Sequence, residues 1–200
     1  ASQMITEGAD IIDIGGESTR PGAEEVTVEE ELARVIPAIE AAAGTGPVSI
    51  DTRKANVAKA AVAAGAGMVN DVSGFDFDPD MGATAARLKT PVCLMHAQGT
   101  PETMQKDPRY EDVLLDVYDG LEERVERAEA AGIPRSRIVV DPGIGFGKTQ
   151  GHNLTLLKGI SLFHGLGCPI LLGVSRKRFI GQSGQAPDPE DRAAGSIAIA

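Results

Sequence analysis

The 200 residues carry 42% hydrophobic and 24% charged side chains and a formal net charge of −10, an ordinary globular composition whose acidity argues against a nucleic-acid partner. No apolar run approaches the roughly 20 residues of a membrane span, and no secretory signal opens the chain. Cys93 and Cys168 each sit in an apolar run without metal-ligand spacing, so both read as small buried hydrophobes of a reducing, cytoplasmic compartment.

Residues 1–7 read as the last turns of a helix stopped by Gly8. Residues 9–14 form an apolar strand interrupted by Asp10 and Asp13, and 15–25 a glycine-rich, charged loop. Thr27 and Glu30 make a capping-box pattern. Leu32, Val35, Ile36 and Ile39 then give a helical core stripe, which Pro37 should bend. Residues 48–50 are a strand closing on Asp51 and Thr52, and 54–64 an alanine-rich helix stopped at Gly65. A strand at 68–69 ends on Asn70 and Asp71, a short helix spans 80–88, and a strand at 91–95 ends on His96. After a long polar connection, 97–111, comes a helix over 112–131 with Leu114, Val117, Leu121 and Val125 inward and Gly132 as its stop.

The β-branched run 138–140 stops at Asp141 and gives way to Pro142, three alternating glycines and Lys148. Such a loop lets the backbone approach a ligand closely, although a sharp βα turn needs glycines too. It is not a phosphate-binding P-loop, because Pro142 stands where that motif needs its first glycine. A helix over 153–164 and a strand over 169–174 follow. The strand closes on Ser175, Arg176, Lys177 and Arg178, and a polar loop leads to a last helix at 192–200. Both ends of the chain read as cut through structure.

Strand and helix alternate six times, the pattern of a parallel sheet. The strands end on Asp13, Asp51, Asn70, His96, Asp141 and Ser175. An open sheet concentrates its ligand at one switch point, whereas a barrel draws site residues from many strand ends. The expectation is a single domain over 1–200, a TIM (β/α)8 barrel with about six of its eight units present. Asp51, Asn70 and Asp141 facing one cavity could pair with a flat heterocycle rich in N–H donors, such as a pterin or guanine. Arg20, Lys177 and Arg178 could meet an anion, and Ser175 offers a hydroxyl. Against this stand blander roles: helix caps for Thr52, Asp71 and Asp13, and a solvated loop for 175–178.

Six segments, DIIDIGGESTRPGA (10–23), VSIDTRK (48–54), VNDVSG (69–74), VCLMHAQG (92–99), DPGIGFGK (141–148) and GVSRKRFIG (173–181), resemble the dihydropteroate synthase family, in that family's order and across the chain. The resemblance implies a transferase of folate biosynthesis that joins 6-hydroxymethyl-7,8-dihydropterin pyrophosphate to p-aminobenzoate and releases pyrophosphate. It implies that Asp51, Asn70, Asp141, Lys177 and Thr19 hold the pterin. Thr19, Arg20, Pro21, Phe146, Ser175 and Lys177 would shape the p-aminobenzoate site, with Thr19 and Arg20 on a mobile loop. Asp51, Asp141, Arg20 and Lys177 would carry catalysis. It also implies Mg2+ as cofactor, small-molecule partners, membership of a family that sulfonamides target, and a homodimer. The asparagine expected near the metal and the Arg-x-His motif expected on pyrophosphate match nothing in this sequence, so no metal ligand is expected within it. Ala97 departs from the methionine that relatives often carry. Two rivals are a methyltetrahydrofolate-binding methyltransferase barrel and a non-catalytic pterin-binding module. Ser18–Thr19–Arg20–Pro21 and Ser175–Arg176–Lys177 favour the synthase over the first; Arg20 and Lys177 speak against the second, which stays open. His96, His152 and His164 receive no catalytic role.

Overall fold

The computed structural model describes residues 1–19, 23–99, 103–184 and 186–199, with Ser183 by its backbone alone. Among them, five parallel strands pair in sequence order: β1 (Ile12–Gly15), β2 (Val48–Asp51), β3 (Met68–Asp71), β4 (Val92–Met95) and β5 (Ile138–Asp141). A short α1 (Ser2–Thr6) precedes them, and α2 (Val28–Ala43), α3 (Ala55–Ala63), α4 (Met81–Leu88) and α5 (Val113–Ala130) fill the crossovers. After β5 come α6 (Gln150–Lys158), α7 (Arg178–Gly184) and α8 (Ala193–Ile199). Each strand adds beside the one before it. With crossovers of one hand, every helix then packs on the same face and the other face is enclosed, the geometry of a β/α barrel arc.

Alternation along each strand sorts the side chains. Val48, Ile50, Val69, Val92, Leu94, Ile138 and Val140 join Val35, Ile39, Val57, Val117 and Leu121 of the helices in one apolar core. The other set, including Asp13, Ser49, Asp51, Asn70, Cys93, Met95 and Asp141, points into the barrel. Local chemistry fixes the helix starts. Thr27 Oγ1 accepts from Glu30 N at 3.2 Å, Asp112 Oδ1 accepts from Leu114 N at 2.9 Å, and Thr149 and His152 cap α6 reciprocally.

Three expectations need correction. The sixth strand shrinks to one parallel bridge, Val140 to Ile170. Val140 N donates to Pro169 O and Leu171 N to Val140 O, each at 2.9 Å. The next donor in that ladder would be residue 142, a proline without an N–H, so the pairing stops there. The helix expected over 153–164 is α6, begun early by its Thr149 cap, followed by 3-10 turns over Ile160–Leu166. The break falls at Gly159, where a Cβ would lie 2.7 Å from the Leu114 side chain of α5. The expected polar loop after Arg178 is instead α7, because Phe179 and Ile180 are buried.

The glycine loop after β5 is pressed onto the end of β4. Gly143 has φ +66°, and a Cβ there would lie 1.9 Å from His96 O. Gly147, at φ +60°, would place its Cβ 2.7 Å from Gln98 O. Gly143→Ala is expected to cost at least about 2 kcal/mol in urea unfolding, from left-handed backbone and backbone overlap together. Gly151→Ala is the contrast: its Cβ would meet only Thr149 Oγ1, at 3.8 Å, and stability should change by less than about 1 kcal/mol.

Candidate active site

The ladder register sets the rim. Gly15 pairs with Asp51, Asp51 with Asn70, and Met95 with Asp141, so these residues stand side by side at the C-terminal ends of their strands. Asp13 is not a helix cap. It accepts from Ser49 Oγ and from Asn70 Nδ2 at 3.0 Å. The Asn70 amide is thereby held with its nitrogen toward Asp13, and among the described residues its oxygen has no hydrogen-bond donor. Thr52 and Asp71 do not cap helices either. Thr52 Oγ1 donates to Glu31 Oε1 at 2.6 Å, and Asp71 shapes the turn after β3 by accepting from Ser73 N at 2.8 Å and Phe75 N at 3.0 Å.

The two rim carboxylates sit in different fields. Burial, with the charges of Asp13, Asp71 and Glu31, pushes the Asp51 carboxyl up to about 7, against the pull of Arg53. Gly15 keeps its surroundings open: a Cβ there would lie 3.4 Å from Asp51 Oδ2. Asp141 is 7% exposed. Burial raises its carboxyl too, but the Gly143 amide, 2.7 Å from Oδ1, and the charges of Lys177 and Lys148 oppose this. Lys177 donates to Ile144 O and lies 4.6 Å from the centre of the Phe146 ring. A Cβ on Gly173 would stand 3.4 Å from Lys177 Nζ and 3.7 Å from Asp141 Oδ2, so both groups converge over that glycine. Burial lowers the Lys177 ammonium, with Asp141 opposing.

Lys148, singled out by its place after the glycines, turns away from any ligand. Its Nζ donates to His96 O at 3.2 Å and Phe146 O at 3.0 Å, and meets His96 Nδ1 at 3.2 Å. Burial brings it down to about 7, with Asp141 opposing. The same burial, with Lys148 and Arg124, drives His96 down to about 3, so the ring is a neutral structural acceptor. Thr19 and Phe146, with Arg53, Ser73, Phe77 and Met95, help line a cavity of about 160 Å³. Ser175 is exposed, two residues before Lys177. Arg20 and Pro21 lie outside the described residues. Both cysteines are free and buried, as expected.

Sequence reasoning passed over the charged residues that brace this rim. Glu17, Glu31, Arg53 and Lys54 form one buried network. Arg124 and Arg127 of α5 both grip Asp76, at 2.6 and 2.8 Å, in the loop after β3. Their only local signal is a charge at an otherwise apolar helical position, as with Arg124 between Leu121 and Val125.

The Asp51 shift has a testable sign. Its carboxyl rises from 3.8 to about 7 on folding, so its favourable contribution is complete below about pH 4 and is lost as pH rises through 7. Asp51→Asn should therefore leave the thermal midpoint little changed at pH 4 and raise it at pH 8 by about 4 °C or more. Scanning calorimetry at both pH values checks this.

The family model for pterin binding enzymes matches residues 1–200. The chain is 47% identical over 202 residues to the dihydropteroate synthase of Escherichia coli (strain K12), covering 100% of this chain and 71% of that protein. It is 48% identical over 198 residues to that of Bacillus subtilis (strain 168), covering 98% of this chain and 67% of that protein. Among solved structures, a Xanthomonas albilineans dihydropteroate synthase with 4-aminobenzoic acid superposes with a TM-score of 0.93 at 48% identity, covering 98% of this chain and 70% of that one. A Yersinia pestis dihydropteroate synthase in complex with a sulfonamide drug gives 0.95 at 44% identity, covering 98% and 72%. Matched along its whole length to these sequences and barrels, the chain belongs to the pterin-binding enzymes and, within them, to the dihydropteroate synthase family.

Proposed function

We propose that this chain joins 6-hydroxymethyl-7,8-dihydropterin pyrophosphate to p-aminobenzoate, releasing pyrophosphate, and that residues 1–200 act as one pterin-binding barrel domain. The observation that carries the reading is the convergence of Asp51, Asn70, Asp141 and Lys177 at one rim. In it, Asp141 and the Asn70 oxygen accept from the N–H edge of the pterin, and Lys177 donates beside Asp141. Thr19 borders the same ligand. A Xanthomonas albilineans relative solved with 7,8-dihydropteroate supports the substrate class.

The chemistry fits these groups. The C–O bond at the exocyclic methylene breaks, its electron pair leaves with pyrophosphate, and positive charge develops on the pterinylmethyl group. When ionised, the Asp51 and Asp141 carboxylates stabilise that charge in a water-poor site. The arylamine nitrogen forms the new C–N bond and then loses a proton. A weak base suffices, and a carboxylate titrating near neutrality suits that task. The flat ring of p-aminobenzoate packs between Phe146 and the stem of Lys177, with Ser175 and Thr19 at its polar edges, and the resemblance adds Arg20 and Pro21, which lie outside the described residues. Catalysis is then mostly positioning and charge stabilisation.

The Mg2+ implied by the resemblance meets no ready site: among the described residues no group of three or more His, Cys, Asp and Glu side chains is placed to hold a metal. The steps above use only side chains of this chain. Among the described residues no helix is long and apolar enough to cross a membrane; the proposal is of a cytoplasmic enzyme with small-molecule substrates. A homodimer packed through helices near the C-terminus is part of the proposal by the family resemblance alone.

Incubating the purified protein with the pterin pyrophosphate, p-aminobenzoate and Mg2+ should yield 7,8-dihydropteroate by mass; pterin binding without product would move the assignment to the non-catalytic reading. Asp141→Asn should weaken pterin binding by about 2 kcal/mol, the worth of a buried charge-assisted hydrogen bond, and an unchanged calorimetric affinity would remove Asp141 from the site. Arg20→Ala should lower turnover more than pterin affinity, and equal losses would count against a loop role.

A further inference from the structure

We infer that Glu17 is a positioning residue that fastens the Thr19 loop to the turn beside Asp51, and so sets the p-aminobenzoate subsite without contributing to the pterin cradle. The inference rests on the functional reading above. The Glu17 side chain is 4% exposed. Its Oε1 accepts from Val26 N and Lys54 Nζ, each at 2.9 Å. Its Oε2 accepts from Arg53 Nε at 3.1 Å and Arg53 Nη2 at 2.7 Å. Val26 lies at the far end of the loop that Glu17 begins, so a single carboxylate ties both ends of that loop together.

The other side of the staple is equally fixed. Arg53 and Lys54 directly follow Asp51 and Thr52. Lys54 Nζ also donates to Glu31 Oε2 of α2 at 2.7 Å, and Glu31 is fully buried. Arg53 stacks on Phe77, its guanidinium carbon 4.0 Å from the ring centre, and both residues line the cavity that Thr19 and Phe146 share. Burial alone would raise the Glu17 carboxyl, but hydrogen bonds from Val26, Arg53 and Lys54 outweigh it and hold it below its ordinary value. A buried ion network of this kind is no more stabilising than apolar packing of the same volume. What it supplies is one fixed position for the two ends of the loop, Glu17 and Val26. That position matters where the arylamine must be aimed, since a small displacement of a reacting group is costly in rate.

Glu17→Gln keeps the shape and removes the charge. It should lower kcat and raise KM for p-aminobenzoate, together costing about tenfold or more in kcat/KM. The affinity for 6-hydroxymethylpterin, which binds without reacting, should stay within about twofold by calorimetry. Cleavage of the folded protein by a glutamate-specific protease at Glu24 and Glu25 should accelerate as the loop is released. Arg53→Gln should reproduce these effects, Arg53→Lys should restore most of the loss, and the double variant should be no worse than either single one. Equal losses in pterin affinity, or kinetics and cleavage unchanged from wild type, would overturn the proposal. A wild-type protein that makes no dihydropteroate would sink the functional reading and the subsite assignment with it, while the cleavage rates would still decide whether Glu17 holds the loop.

Discussion

Residues paired in a parallel ladder point to the same face, and the pairing of Gly15 with Asp51 and of Asp51 with Asn70 decides which polar groups meet. A shift of one residue in β3 would exchange Asn70 for Asp71. The amide would then be lost to the helix-facing side and a third carboxylate would enter the rim. The apolar residues at alternate positions prevent that shift, because Ile50, Val69, Leu94 and Val140 must all reach the helices. The core thus holds the site in register.

Burial then differentiates groups of the same chemical type. Burial raises both rim carboxyls, but their surroundings differ: Asp51 lies among other carboxylates, whereas a backbone amide and two lysines oppose the rise at Asp141. The two lysines divide in the same way. Lys177 stands with Asp141 at the edge of the site, while Lys148 spends its donors on the His96 and Phe146 carbonyls and ties the ends of β4 and β5 together.

The loops after β1 and β3 are braced by charge as well as by apolar packing. Glu17 and Glu31 hold the β1 and β2 ends, and Asp76 is gripped by two arginines of α5. Apolar side chains would bury as well but would not select one loop geometry. A loop that borders a site for two substrates gains more from directional bonds than from added core volume.

The amino-acid sequence determined the β/α alternation, the strands that end on Asp51, Asn70 and Asp141, and the main helix boundaries. These signals are local: a two-residue period, a 3.6-residue stripe, a threonine cap and a glycine stop all act within a few residues. Even the loss of the sixth strand was written locally, in the missing N–H of Pro142. The tertiary structure alone decided the rest. Gly159 breaks a helix because Leu114 crowds it, Asp13 orients Asn70 instead of capping a helix, and Lys148 faces backbone carbonyls instead of a ligand. Glu17 finds Arg53 and Lys54 across 36 and 37 residues of chain. Nothing in the local pattern distinguishes such a glutamate from a solvated one, because its partners become neighbours only when β1 and β2 pair.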